Sequence, residues 1–130
     1  MLNIGLTNRR QLKVDCTNTA SALKSGLLDV FSTPSMIALM EHTCAECVQP
    51  FLEKNEGSVG ISVNVKHLSA TPIGETVTCD CCLTEIDRKR LVFAVKCMDE
   101  NGLIGEGVHE RLVIDNQRFM DKLKEKTKKS

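Results

Sequence analysis

The sequence predicts an α+β fold, a long central helix wrapped by a curved antiparallel β-sheet. Two observations predict it. The stretch from Thr33 to about Glu53 is apolar around most of a helical circumference, which marks a central helix. Four runs of alternating apolar and polar residues follow, divided by turn signals, as in an antiparallel meander. A meander beside one widely apolar helix is expected to curl around it.

Taken in order, "RQLKVDCT" reads as a first strand, and residues 17–32 as a loop or short helix. Thr33 then reads as the helix N-cap, with Pro34 at the first helical position. At about 100° per residue, with Glu41 as origin, Val48, Ile37, Cys44, Phe51 and Met40 fall on one side of it. Leu52, Ala45 and Ala38 fall on the other, and Ser35, His42, Glu46, Gln49 and Glu53 gather in the opposite arc. "EKNEGS" ends the helix. In "GISVNVKHLS", Ile61, Val63, Val65 and His67 share a face. In "ETVTCDCCLTEI" it is Val77, Cys79, Cys81 and Leu83, and in "RLVFAVKCMD" Leu91, Phe93, Val95 and Cys97. "LIGEGVHERLVID" is the last strand, and "ATPIGE", "DRK" and "DENG" supply the turns. The tail "KLKEKTKKS" extends a short terminal helix and then frays. The central helix is apolar on more sides than one sheet would cover, so at least a homodimer is expected.

The chain of 130 residues is read as a single domain, 1–130, with 1–10 and 125–130 loosely ordered. Its 17 basic and 17 acidic residues give no bulk electrostatic support for nucleic-acid or membrane binding. No apolar run approaches the ~18 residues of a membrane span, and "MLNIGLTNRRQLKV" lacks a signal-peptide core. Seven cysteines without a secretory signal indicate free thiols in a reducing cytoplasm. Trp and Tyr are absent and Phe is scarce, so the core must be built from aliphatic residues, Cys and Met.

Glu41 carries the first functional signal. It points into the wrapped part of the helix, where a carboxylate is destabilising unless paired, hydrogen-bonded or protonated. The competing reading is a structural ion pair or a side chain that reaches the surface. Strand alternation puts His67 on the side facing the helix, so Glu41 and His67 point inward from neighbouring elements, a pairing suited to acid–base chemistry. Besides capping, the Thr33 hydroxyl would lie beside a helix N-terminus, where backbone N–H groups favour an anion. Thr33 and Glu41 stand about two turns apart and need a substrate, a water or a bend to cooperate. "CAEC" and "CDCC" lack the turn geometry of a zinc knuckle, so Cys44, Cys47, Cys79, Cys81 and Cys82 read as small hydrophobes, and no metal is expected. The glycines of "GLIGEG" read as places where helix packs closely on sheet. Arg88, Lys89 and Arg90 read first as a solvated turn, with CoA phosphates as the alternative contact.

With these residues in place, "FSTPSMIALMEHTC", "EGSVGISVNVKHLSATPIGETV" and "GEGVHERLVI" resemble the hotdog-fold thioesterases of the fluoroacetyl-CoA thioesterase type, from about Val30 to about Lys124. The resemblance implies a homodimer, higher assembly left open, with its sites at the subunit interface. It implies cleavage of an acyl-CoA thioester to acid and CoA, with no cofactor beyond the CoA of the substrate. Thr33, Glu41 and His67 occupy the catalytic positions. Gly60 matches a glycine bordering the acyl group, and Arg111 an arginine near the active site. Where the fluoroacetyl-specific enzyme has lid phenylalanines, this chain has Lys24 and Leu27. The resemblance therefore carries the reaction class, with a small or medium acyl-CoA as the expected substrate. Two other readings stand beside it, a non-catalytic acyl-CoA-binding hotdog protein and a hotdog hydratase or dehydratase.

Overall fold

The computed structural model describes residues 2–128. Five strands form one antiparallel sheet: β1 (Thr7–Lys13), β2 (Glu56–His67), β3 (Thr76–Asp87), β4 (Arg90–Asp99) and β5 (Gly102–Asp115). Their spatial order is β1-β3-β4-β5-β2, so β1 and β2 are the edges. Helix α1 (Thr33–Val48) lies against the sheet, and α2 (Asn116–Lys128) follows β5. This is the α+β arrangement expected. β1 begins within the segment expected to be loose, because pairing with β3 from Thr7↔Cys82 to Lys13↔Thr76 orders it. The terminal helix runs through Lys128, and the rest of the expected frayed end, residues 129 and 130, lies outside the described residues.

Both ends of α1 differ from expectation. Ser32, not Thr33, is the N-cap: its hydroxyl accepts from the Ser35 N–H at 3.1 Å. Such a cap is worth about 1 kcal/mol, and taking it one residue earlier leaves the Thr33 hydroxyl free for other partners. The helix stops at Val48 and tightens into a 3₁₀ turn over Gln49–Phe51 rather than reaching Glu53. Pro50 is the cause, since it has no N–H for the ladder and its ring crowds the preceding turn.

The core sits between α1 and the sheet. Met36, Met40, Cys44 and Val48 of α1 pack on Val77, Cys79, Cys81 and Leu83 of β3 and Leu91, Phe93, Val95 and Cys97 of β4, all buried as the alternation required. Thin cysteine side chains let helix and sheet approach, and the Cys81 thiol donates to the Thr43 carbonyl oxygen at 3.7 Å. All seven cysteines are free thiols. The Cys81 sulfur beside it and burial push the Cys44 thiol up, and burial raises Cys47 to about 12, so both are inert at neutral pH. Among the described residues, no group of three or more His, Cys, Asp or Glu is placed to share a metal.

β2 departs from simple alternation. Gly60 pairs with Arg111 and Ser62 with Glu110, leaving Ile61 as the extra residue of a β-bulge. Val63 and His109 are directly paired, so Ser58 and Gly60 before the bulge share the α1-facing side with Val63, Val65 and His67 after it. Ile61 drops out of the row expected for it.

The glycines of "GLIGEG" serve two contacts. A Cβ on Gly105 would meet the Met36 sulfur at 2.5 Å, which is helix against sheet as expected. A Cβ on Gly107 would instead meet the Asn64 carbonyl oxygen at 2.2 Å and the Val65 Cα at 2.6 Å, which is strand against strand. The basic turn is largely paired: Lys89 contacts Glu56 at 3.0 Å, and Arg90 contacts Glu85 and Glu110 at 2.7 and 2.6 Å.

Candidate active site

The expected residues form two clusters rather than one. The first joins the start of α1 to the end of β2. Thr33 Oγ1 lies 2.7 Å from His67 Nδ1, a hydrogen bond that the shifted cap makes possible. His67 Nε2 is buried and makes no hydrogen bond among the described residues. Burial pushes His67 below its ordinary value, opposed in part by the Ser69 backbone, so the ring is neutral at pH 7. The Phe31 ring meets the imidazole edge-on, with centroids 6.5 Å apart. A cleft of about 290 Å³ opens here, lined by Ala20, Val30, Phe31 and Leu68 beside Thr33 and His67. Its strap, residues 17–32, is a turn-rich loop pinned by isolated bridges Thr19↔Phe31 and Val30↔Pro72. Leu27 stands 94% exposed at the tip, and Lys24 adopts a left-handed φ of 58°.

The second cluster surrounds Glu41. Its side chain is 41% exposed in the single chain, because the sheet covers one side of α1 and leaves this side open. Ala38, one turn back, is exposed as well. One carboxylate oxygen lies 4.0 Å from Arg111 Nη1. Gly60 sits so close that an added Cβ would fall 2.8 Å from Glu41 Oε2 and 3.2 Å from His109 Cε1. The absent side chain is what gives the carboxylate its place. Gly60→Ala is expected to push the carboxylate aside and lower turnover by roughly a hundredfold, with a smaller loss in melting temperature from its crowding of the His109 ring. Unchanged steady-state kinetics in a folded Gly60→Ala protein would remove the close approach from the mechanism.

Within the single chain, Glu41 and His67 are not joined by a hydrogen bond or ion pair among the described residues. The histidine beside Glu41 is His109. It is 1% exposed on β5, two residues before Arg111, and both face α1. Sequence reasoning passed over His109 and Ser58. The available signal was alternation in "VHERLV", which puts a histidine and an arginine on a strand's core face.

Burial also pushes His109 below its ordinary 6.5, helped by the Arg111 charge and opposed by the Ser62 carbonyl. The unfolded chain therefore binds protons below about pH 6.5 that His67 and His109 refuse in the fold. Their contribution to stability is complete above that value and is lost as pH falls toward the depressed folded values. Thermal melts should give a flat Tm from about pH 8 to about pH 6.5 and a decline below it, shallower in a His109→Gln protein. A Tm that rises on acidification through this window would contradict the assignment.

Comparison with known proteins decides the family. The family model for fluoroacetyl-CoA-specific thioesterases matches residues 14–117. The chain belongs to the fluoroacetyl-CoA-specific thioesterase family. The fluoroacetyl-CoA thioesterase of Streptantibioticus cattleyicolor is 41% identical over 99 residues, 76% of this chain and 71% of that protein. A solved structure of the fluoroacetyl-CoA thioesterase FlK aligns with a TM-score of 0.92 at 33% identity, covering 97% of this chain and 98% of that one. A thioesterase superfamily member from Thermus thermophilus, at 24% identity and a TM-score of 0.88, covers 98% and 97% and shares the fold. The family's hotdog architecture is thus the sheet-wrapped helix described above.

Proposed function

We propose that the chain is a homodimeric acyl-CoA thioesterase that hydrolyses a small or medium acyl-CoA to the free acid and CoA. Thr33, Glu41 and His67 are its reacting groups, and Gly60 and Arg111 border the substrate. The observation that carries this is the division of polar groups along one helix. The Thr33–His67 hydrogen bond stands at its start, and Glu41, against Gly60 and Arg111, stands eight residues on. That separation is about 12 Å of helix rise, so within one chain the two would need a bend or a bridging water to act on one carbonyl.

A two-fold axis resolves the distance. β2 is an edge strand with Ile61 50% and Val63 40% exposed, next to the open side of α1. An unpaired edge and an uncovered helix side are buried together when two copies meet about an axis through both. The helices then run antiparallel, and Glu41 of one protomer approaches the Thr33–His67 pair of its partner.

In that site Glu41 removes a proton from water, whose oxygen adds to the thioester carbonyl carbon. Alternatively the carboxylate adds directly, and water then opens the resulting anhydride. Backbone N–H groups at the start of α1 face the developing oxyanion. With Thr33 donating to Nδ1, neutral His67 carries its proton on Nε2, the nitrogen left without a protein partner, and presents it to the carbonyl or the departing sulfur. The C–S bond breaks, the thiolate takes up a proton, and the acid leaves as its carboxylate. No group beyond the substrate's own CoA is required. The small cleft beside Thr33 supports a short acyl group, and relatives have been solved with acetyl-CoA and with fluoroacetate and CoA. The free thiols fit a cytoplasmic setting, and no helix among the described residues is long and apolar enough to cross a membrane.

Free-thiol release over a panel of acyl-CoAs tests the activity, and subunit mixing tests the geometry. Glu41→Gln and His67→Ala proteins should each be inactive alone. Mixed and allowed to exchange, they should recover about a quarter of the wild-type rate, because half the dimers are hybrid and each hybrid holds one intact site. No recovery would place Glu41 and His67 of one site in the same chain. Binding of acyl-CoA without thiol release from the wild type would favour the non-catalytic binding protein.

A further inference from the structure

His109 is buried and polar, and the reaction outlined above makes no use of it. Its Nδ1 lies 2.9 Å from the Ser62 carbonyl oxygen, which can only accept, so Nδ1 carries the proton. Its Nε2 lies 3.1 Å from Arg111 Nη1, which can only donate, so Nε2 presents its lone pair. Both ring nitrogens are engaged in one neutral tautomer, and the Phe93 ring stacks on the imidazole with centroids 6.4 Å apart. Ser58 holds the other side of the guanidinium. Arg111 Nε donates to Ser58 Oγ and Nη2 to the Ser58 carbonyl oxygen, each at 2.8 Å. Three of the arginine's nitrogens are thus tied to the protein, and Nη1 faces Glu41 across 4.0 Å.

We propose that His109 and Ser58 are positioning residues that pin the Arg111 guanidinium at a set distance from the Glu41 carboxylate, with His109 a fixed acceptor rather than an acid–base group. The distance matters. A free arginine would close on Glu41 as a bidentate ion pair and occupy the oxygens that must reach water or the carbonyl. Held at 4.0 Å, beyond hydrogen-bond range, Arg111 supplies positive charge and leaves those oxygens available. This rests on Glu41 being the reacting carboxylate of a thioesterase.

The test is a set of His109 and Ser58 variants, each made also in an Arg111→Gln background. His109→Leu should lower kcat about ten- to a hundredfold with KM little changed. His109→Gln, whose amide oxygen reaches the place of Nε2, should restore most of it. Ser58→Ala should lower kcat a few-fold, and it keeps the test open if the leucine variant fails to fold. In the Arg111→Gln background each change should have almost no further effect, because its target is gone. Wild-type kcat in folded His109→Leu or Ser58→Ala, or equal losses in both backgrounds, would overturn the proposal. Nitrogen-15 NMR gives a readout without turnover. His109 should show a protonated Nδ1 and an unprotonated Nε2 at neutral pH, with Nε2 shifting in Arg111→Gln. A protonated Nε2 would sink the proposal even in an active enzyme. The expected signal in a wild type that releases no thiol would overturn the thioesterase function while upholding the pinned arginine.

Discussion

Glu41→Gln is expected to lower thiol release by about a thousandfold or more while leaving the melting temperature within a few degrees of wild type. Glutamine matches glutamate in shape, so the close fit beside Gly60 survives. It has no carboxylate to add to a carbonyl or to take a proton from water. The fold has little at stake, because the side chain is 41% exposed and meets Arg111 only at 4.0 Å. Arg111 loses the Glu41 charge in the variant but keeps its hydrogen bonds to Ser58 and His109, so its buried donors stay satisfied. The contrast between a large kinetic effect and a small thermal one is the diagnostic feature. Near-normal turnover in Glu41→Gln would return the carboxylate to a structural role and leave only Thr33 and His67 as candidates.

The largest effect on stability is expected at Gly107. A Cβ there would lie 2.2 Å from the Asn64 carbonyl oxygen and 2.6 Å from the Val65 Cα, distances that no side-chain rotation relieves. β2 must move away from β5 across the Val65↔Gly107 pair. Gly107→Ala should destabilise the chain by about 3 kcal/mol and lower Tm by roughly 10 °C. β2 also carries Gly60 and His67 and is the edge proposed for dimerisation, so subunit association should weaken in parallel. Melting curves together with light scattering would check both. A Tm within about 2 °C of wild type would mean that the two strands separate without penalty there.

Much of the molecule was legible in the sequence, and the reason is locality. The position of α1 follows from its apolar circumference, and the inward faces of β3 and β4 follow from a period of two. Glu41 and His67 stood out because polar groups broke apolar patterns, and Thr33 because a hydroxyl before Pro34 marks a helix start. Pro50, which ends the helix early, is a local signal too, but the expectation of a helix running to about Glu53 passed over it.

Other features belong to pairs of elements, and no single segment encodes them. Ser32 rather than Thr33 caps α1 because of how the strap enters the helix, and that difference of one residue hands the Thr33 hydroxyl to His67. The bulge at Ile61 is a mismatch between β2 and β5, visible only once their register exists. His109 and Ser58 lie 51 positions apart in the chain and meet at Arg111 because β2 and β5 are neighbours. Composition and periodicity by themselves determined a helix, a meander and three polar residues. The tertiary structure decided which of those residues touch, because hydrogen bonds and close contacts depend on positions to within a few tenths of an ångström, and only the packed sheet sets those.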